Sequence, residues 1–160
     1  MQWVRIIVIM IISVIGAGSC DNTTYAMAED VGRIVARGGA ILITGGLGGV
    51  MEAASKGANE AGGTAIGILP GFSKKDANAY VTVPLTTGLS HARNVIIVRS
   101  ADAVIAVAGE YGTLSEIAIA LKLGKPVIGI NTWENIEGVV KADNAEDAVA
   151  KAFELTGKSM

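Results

Sequence analysis

A carboxylate placed just beyond a glycine-bearing turn is the group of this chain that could most directly do chemistry. Residues 108–116 follow the apolar run Ala103–Val107 and precede an apolar-periodic segment that ends at Leu123. We interpret this as a strand, a turn and a helix, with Glu116 in the first turn of the helix. Since that turn of a helix has free N–H groups and a partial positive charge, it can hold a phosphate. Glu116 could then act on a substrate whose phosphate is bound nearby.

The same residues also have a purely structural interpretation. Thr113 and Glu116 have the spacing of a capping box, in which two side chains satisfy the free N–H groups at a helix start. A single turn of this kind would favour that interpretation. The functional interpretation gains support here because two further glycine turns follow predicted strands.

The first of those turns, residues 16–19, follows the first predicted strand and is only a partial match to the dinucleotide fingerprint. The second, residues 44–49, follows the second strand and reads Thr-Gly-Gly-Leu-Gly-Gly. Its glycines let the backbone approach a ligand and direct N–H groups at an anion. It is not a Walker loop, because no Gly-Lys-Ser/Thr follows. Together with residues 108–116, the three turns predict a shared phosphate-binding rim.

A cation is predicted beside this rim. Arg93 lies in the first turn of a predicted helix over residues 90–100, where the helix dipole disfavours a positive charge. Arg93 therefore needs a partner, and either Glu116 or a bound phosphate would serve. His91 is the only histidine. It could be an acid or base, but an exposed or helix-capping role is the simpler interpretation.

The elements that must position these residues alternate along the chain. Continuous runs of Val, Ile and Ala are typical of parallel strands with helices on both faces. We therefore predict one Rossmann-like, doubly wound α/β domain, which binds ligands at the carboxyl ends of its strands. The predicted strands are residues 11–15, 40–43, 64–69, 80–83, 103–107 and 127–130. The predicted helices are residues 22–37, 50–61, 90–100, 113–123 and 145–155.

Composition excludes several classes of function. A net charge of −2 and an aromatic content of 4% give no sign of a nucleic-acid surface. One cysteine and one histidine exclude a disulfide framework and Cys–His zinc sites, so no metal is predicted and a cytoplasmic location is expected. The apolar run over residues 4–15 is too short to span a membrane.

The N-terminal residues have two interpretations. The apolar run could be a signal peptide, but its cleavage would remove an inner strand of the predicted sheet. Alternatively, a protein beginning at Met10 would enter its first strand at once. We therefore predict that residues 1–9 are an extension and that residues 10–160 form the domain.

Four motifs in this order resemble the LONELY GUY family, whose members were long mislabelled as lysine decarboxylases. The motifs are Thr44-Gly-Gly-Leu-Gly-Gly-Val-Met51, Ala65-Ile-Gly-Ile-Leu-Pro70, His91-Ala-Arg93 and Gly109-x-x-Gly-Thr-x-x-Glu116. The resemblance covers about residues 12–133 and implies a Rossmann-like fold and a homodimer or higher homo-oligomer. It also implies that Arg93 and Glu116 are catalytic. The ligand-binding residues that it implies are Gly16, Ser19, Thr44, Gly45, Gly46, Gly48, Gly49, Gly109, Gly112 and Thr113.

The enzymes of that family are phosphoribohydrolases, which cleave the N-glycosidic bond of nucleoside 5′-monophosphates and need no cofactor. This chain departs from their pattern, because Ala108 and Glu110 replace a proline and a glycine, and Asn94 replaces a lysine. Glu110 adds negative charge at the predicted phosphate site. These departures are similar to the molybdenum cofactor carrier branch, whose members look like non-catalytic binders of a phosphorylated pterin.

Two functions are therefore expected from the resemblance, each with a small phosphorylated ligand. In the hydrolase, Glu116 would support an oxocarbenium-like transition state while Arg93 fixes the phosphate or orients Glu116. In the alternative, the same pocket would carry the molybdenum cofactor, and Glu116 would mainly cap the helix. A Rossmann dehydrogenase is disfavoured, because residues 35–39 contain no acidic side chain to hold a ribose.

Overall fold

The apolar runs form one parallel sheet with helices on both faces, as predicted. The computed structural model describes residues 8–160, and within them seven strands lie in the order β4-β3-β2-β1-β5-β6-β7. Every neighbouring pair in this order is parallel. The strands are β1 (Ile11–Gly16), β2 (Ile41–Thr44), β3 (Ala65–Leu69), β4 (Val83–Thr86), β5 (Ala103–Val107), β6 (Val127–Ile130) and β7 (Val139–Lys141).

Two hydrophobic cores lie on opposite faces of the sheet. The larger core contains residues of α1, α2 and α5, and the smaller contains residues of α3 and α4. Val14 and Ile15 are neighbours in β1 but belong to different cores. This burial on both faces explains why the strand is apolar throughout instead of alternating with polar residues. The helices are α1 (Asn22–Arg37), α2 (Val50–Glu60), α3 (Asn94–Arg99), α4 (Tyr111–Lys122) and α5 (Ala145–Leu155).

The two edge strands of the sheet, β4 and β7, were the hardest to predict. The fourth strand was expected at residues 80–83, stopped by Pro84, but β4 covers Val83–Thr86 and includes that proline. The prediction was wrong because β4 is an edge strand, where a missing N–H costs no ladder hydrogen bond. The other edge strand, β7, was missed, since its three residues are too short to show a period.

The predicted helix over residues 90–100 is in fact two elements. Residues Ser90–Arg93 form a 3₁₀ turn, and α3 begins only at Asn94. Arg93 is consequently the residue before the α-helix and not part of its first turn. As the N-cap residue, Arg93 still lies beside the positive end of α3, so its charge still needs a partner.

The start of α4 also differs from the prediction. This helix begins at Tyr111, two residues before the expected start, and its N-cap residue is Glu110. Thr113 is therefore the third helical residue and Glu116 lies in the second turn. The predicted capping box of Thr113 and Glu116 is wrong, because a capping box needs Thr113 at the N-cap and Glu116 at the third helical position, and neither residue lies there. Glu116 needs another explanation.

The order in which the strands are connected determines where a ligand site is expected. From β1 the chain moves outward through β2 and β3 to β4, then returns across the sheet to β5, which pairs with the other edge of β1. The strand order therefore reverses between β1 and β5. In open parallel sheets, ligands bind at the carboxyl ends of the strands beside such a reversal.

Most of the predicted N-terminal extension, residues 1–7, lies outside the described residues. Across residues 8–160, none of the helices combines the length and the apolar character that a membrane span needs.

Candidate functional site

A cleft of about 240 Å³ opens at the reversal point between β1 and β5. It brings together residues far apart in the sequence, because four chain segments end or begin there. The turn after β1, the first turn of α2, the start of α3 and the start of α4 all contribute. The lining residues are Gly16, Ala17, Gly18, Met51, His91, Arg93, Asn94, Glu110, Gly112, Thr113 and Glu116.

Glu116 is an acid buried in this cleft. Its side chain lies on the second turn of α4, and the residue is only 8% exposed. Burial raises the pKa of its carboxyl from 4.5 to about 8, although the positive charge of Arg93 acts in the opposite direction. Burial dominates because an ionised carboxylate loses more hydration there than one neighbouring cation restores. Glu116 is therefore mostly protonated at neutral pH.

Arg93 is the buried cation of the same cleft, at 7% exposed. Its Nη1 donates to Asn94 Oδ1 at 2.9 Å, and its Nη2 donates to the Gly45 carbonyl at 3.4 Å. Asn94 in turn donates to Ser115 Oγ on α4 at 3.4 Å. Asn94, one of the departures from the enzyme pattern, thus holds the guanidinium and links it to α4.

The guanidinium is not fully satisfied by these contacts. Arg93 Nε is buried without a hydrogen-bond partner. Within residues 8–160 no N···O distance of 4.0 Å or less joins Arg93 to Glu116. Burial lowers the pKa of Arg93, opposed by Glu116, but an arginine stays charged in proteins. At neutral pH the pair therefore contributes about one net positive charge, and an unsatisfied buried donor is a place where a ligand can lower the free energy.

The glycine turn at residues 45–49 lies behind the cleft and does not line it. The Val50 N–H donates to the Ala17 carbonyl at 3.0 Å. A Cβ on Gly49, whose φ is +62°, would lie 2.3 Å from the same oxygen. The Thr44 hydroxyl accepts from the Gly46 N–H at 3.1 Å and is buried. This turn supports the turn after β1 and, through the Gly45 carbonyl, the guanidinium of Arg93.

The turn between β5 and α4 is held in an unusual conformation. Ala108 and Gly109 both have positive φ, at 49° and 105°. A Cβ on Gly109 would lie 2.3 Å from Thr113 Oγ1, so only glycine fits there. Glu110 is exposed at the mouth of the cleft, and its side chain makes no capping hydrogen bond.

The predicted site residues therefore divide into two groups. Those that line the cleft are Gly16, Arg93, Gly112, Thr113 and Glu116. Those beside or behind it are Ser19, Thr44, Gly45, Gly46, Gly48, Gly49 and Gly109. Their roles in ligand binding stay predictions.

Sequence reasoning missed three lining residues, Ala17, Gly18 and Met51. Ala17 and Gly18 stood in the turn already singled out, where the spacing of Gly18 from Gly16 was a usable signal. Met51 carried no such signal, because periodicity does not separate a core methionine from a cleft methionine.

The family model of the SLOG cluster4 family matches residues 9–156. An uncharacterized protein of Archaeoglobus fulgidus is 52% identical over 142 residues, which cover 88% of this chain and 93% of that protein. The molybdenum cofactor binding protein of the phototrophic bacterium Rippkaea orientalis has a similar structure, with a TM-score of 0.88 at 37% identity over 93% of this chain and 98% of that chain. The molybdenum cofactor carrier protein of Chlamydomonas reinhardtii has a TM-score of 0.84 at 37% identity, over 93% and 99% of the two chains.

Proposed function

This chain belongs to the SLOG cluster4 family, and from that premise we propose that its cleft binds a phosphorylated pterin, the molybdenum cofactor, as a carrier and not as a catalyst. The resemblance inferred from the four motifs is confirmed by the family match and by the neighbouring structures. Two of those neighbours are described as a molybdenum cofactor binding protein and a molybdenum cofactor carrier protein. Their similarity supports this proposal over hydrolysis.

The observation that carries the proposal is the buried Arg93 beside a mostly protonated Glu116. With a pKa of about 8, Glu116 is an uncharged hydrogen-bond donor at neutral pH. Arg93 supplies the positive charge and a planar set of donors that suits phosphate oxygens. Both groups can therefore donate to one anion without a carboxylate repelling it. Glu110 also lines the cleft, but it is exposed, so water and salt weaken its repulsion of the ligand.

The same protonation works against the hydrolase expected from the resemblance. Support of an oxocarbenium-like transition state needs a negative carboxylate next to the sugar, and Glu116 is largely neutral until the pH exceeds about 8. One observation does favour hydrolysis as a second candidate. A buried carboxylic acid with this pKa could protonate a leaving base as a general acid.

Incubation with a panel of nucleoside 5′-monophosphates separates the two candidates. We expect no free base and no ribose 5-phosphate by chromatography, because the buried Glu116 is mostly neutral at neutral pH. Glu116→Gln removes the acid, and Glu110→Gln is the matched control, since it removes an exposed carboxylate at the N-cap of the same helix. Base release that is lost in Glu116→Gln and kept in Glu110→Gln would instead establish the hydrolase.

Two further predictions from the sequence belong to this proposal. A cytoplasmic location fits a carrier that meets its ligand and its acceptor in the same compartment. A homodimer or higher homo-oligomer is what the family resemblance implies. Sedimentation of the purified chain would test the second.

A further inference from the structure

A second cavity lies on the other side of the turn between β5 and α4. It has a volume of about 420 Å³ and begins where β6 ends, lined by Gly109, Asn131, Thr132, Trp133, Asn135 and Ile136, together with Glu134. This volume lies within the range of small-molecule pockets, which usually exceed roughly 300 Å³. The larger cavity has no assigned role.

One wall of this cavity is an indole ring held in place. Trp133 Nε1 donates to the Glu110 carbonyl at 3.3 Å, so its single polar atom is used by the turn that also borders the Arg93 cleft. The Thr132 hydroxyl donates to the Ala108 carbonyl of the same turn. Tyr111 lies beside Trp133 with ring centroids 6.0 Å apart, and it is 81% exposed. A fixed indole beside an exposed phenol can stack on a flat ligand.

The polar groups of the cavity are uncharged or already paired. The side-chain amides of Asn131 and Asn135 make no hydrogen bond to any residue in 8–160. Among the described residues that line the cavity, the charged one is Glu134, and its carboxylate is paired with Lys141 Nζ at 3.3 Å. Without an unpaired cation in that lining, the cavity does not suit a phosphate. An amide offers one donor and one acceptor side by side, which matches a lactam edge on a ring.

We propose that this cavity is a second binding site, which takes the aminopyrimidinone ring common to pterins and guanine, stacked on Trp133 with its polar edge on Asn131 and Asn135. The pterin is preferred only because of the function proposed above. The site itself depends on an aromatic wall and two free amides. Ligands without a phosphate can therefore test it independently of the function proposed for the Arg93 cleft.

Calorimetric titration with neopterin, guanosine and adenosine tests this site. We expect neopterin and guanosine to bind the wild type and adenosine to bind more weakly, since its edge lacks the lactam. Trp133→Leu should weaken neopterin binding by roughly tenfold or more, as expected for loss of one stacking wall, and Trp133→Phe should restore part of it. Absence of neopterin binding, or equal binding by Trp133→Leu, would overturn the proposal.

Variants of the two asparagines keep the test valid should Trp133→Leu misfold, since both side chains are exposed. Asn131→Gly keeps the positive φ of 48° at that position while removing the amide. Combined with Asn135→Ala, it should abolish the preference for guanosine over adenosine, and an unchanged preference would refute the assigned contacts. Arg99→Met, at an exposed arginine that lines neither cavity, should leave neopterin binding intact. If phosphorylated ligands fail to bind the wild type while neopterin binds, the proposed function falls and this site stands.

Discussion

Replacement of Glu116 by glutamine is expected to raise the free energy of unfolding above pH 8 and to flatten its dependence on pH. In the wild type, the folded protein holds the Glu116 proton up to a pKa of about 8, whereas the unfolded chain releases it near 4.5. The folded state thus binds more protons between these values, so stability falls as the pH rises through them. Each pKa unit corresponds to about 1.4 kcal/mol, which makes the total loss on the order of a few kcal/mol.

Chemical denaturation at several pH values between 4 and 9 measures this effect. Near the lower end both variants keep a neutral group at position 116, so their stabilities should agree. At the upper end Glu116→Gln should be the more stable protein, because it keeps that group neutral. Glu110→Gln is the matched control, since it removes an exposed carboxylate from the same helix start. If wild type and Glu116→Gln have parallel profiles, Glu116 is not the buried acid that the proposed function needs.

Arg93→Met is expected to weaken binding of a phosphorylated pterin on the order of a hundredfold, the usual effect of removing one partner of a buried charged hydrogen bond. Methionine fills much of the same space but cannot donate a hydrogen bond. Arg93→Lys keeps the charge and loses the planar set of donors, so its affinity should lie between the two. The charge of Arg93 lowers the pKa of Glu116. Arg93→Met should therefore raise that pKa and extend to higher pH the range over which stability falls.

Titration of wild type and variants with the same phosphorylated ligand gives the dissociation constants. Arg99→Met is the matched control, because Arg99 is exposed at the end of α3 and should leave affinity unchanged. Equal losses in Arg93→Met and Arg99→Met would indicate a general electrostatic effect. Wild-type affinity in Arg93→Met would remove the guanidinium from the site.

Much of the fold was predictable because the strands are buried on both faces. The predicted bounds of α1, β5, β6 and α5 agree with the structure. Their ends carry local signals, such as the Asp21 side chain that accepts from the Thr24 N–H at the start of α1. Edge strands need not be buried on both faces, so their sequences carry a weaker signal. For this reason β4 was misplaced and β7 was missed.

The candidate site was predictable in outline and not in its chemistry. Arg93 and Glu116 were linked before the structure by the need of a cation at a helix start for a partner and by the family resemblance. Their protonation could not be predicted, because it depends on burial by residues from four separate segments. The cavity at Trp133 was not predicted either. Residues 131–138 form an irregular connection, and no sequence pattern reveals the hydrogen bonds that the Thr132 and Trp133 side chains donate to the turn after β5.

The measurement that most directly tests the carrier function is the recovery of bound cofactor. The purified chain is mixed with molybdenum cofactor without oxygen, separated from free ligand by gel filtration, and analysed for molybdenum and for the released pterin. The proposed function predicts that both coelute with the wild type, that the pterin is released unaltered, and that Arg93→Met retains little of either. Elution of the wild type without molybdenum or pterin, or release of a cleaved pterin, would contradict it.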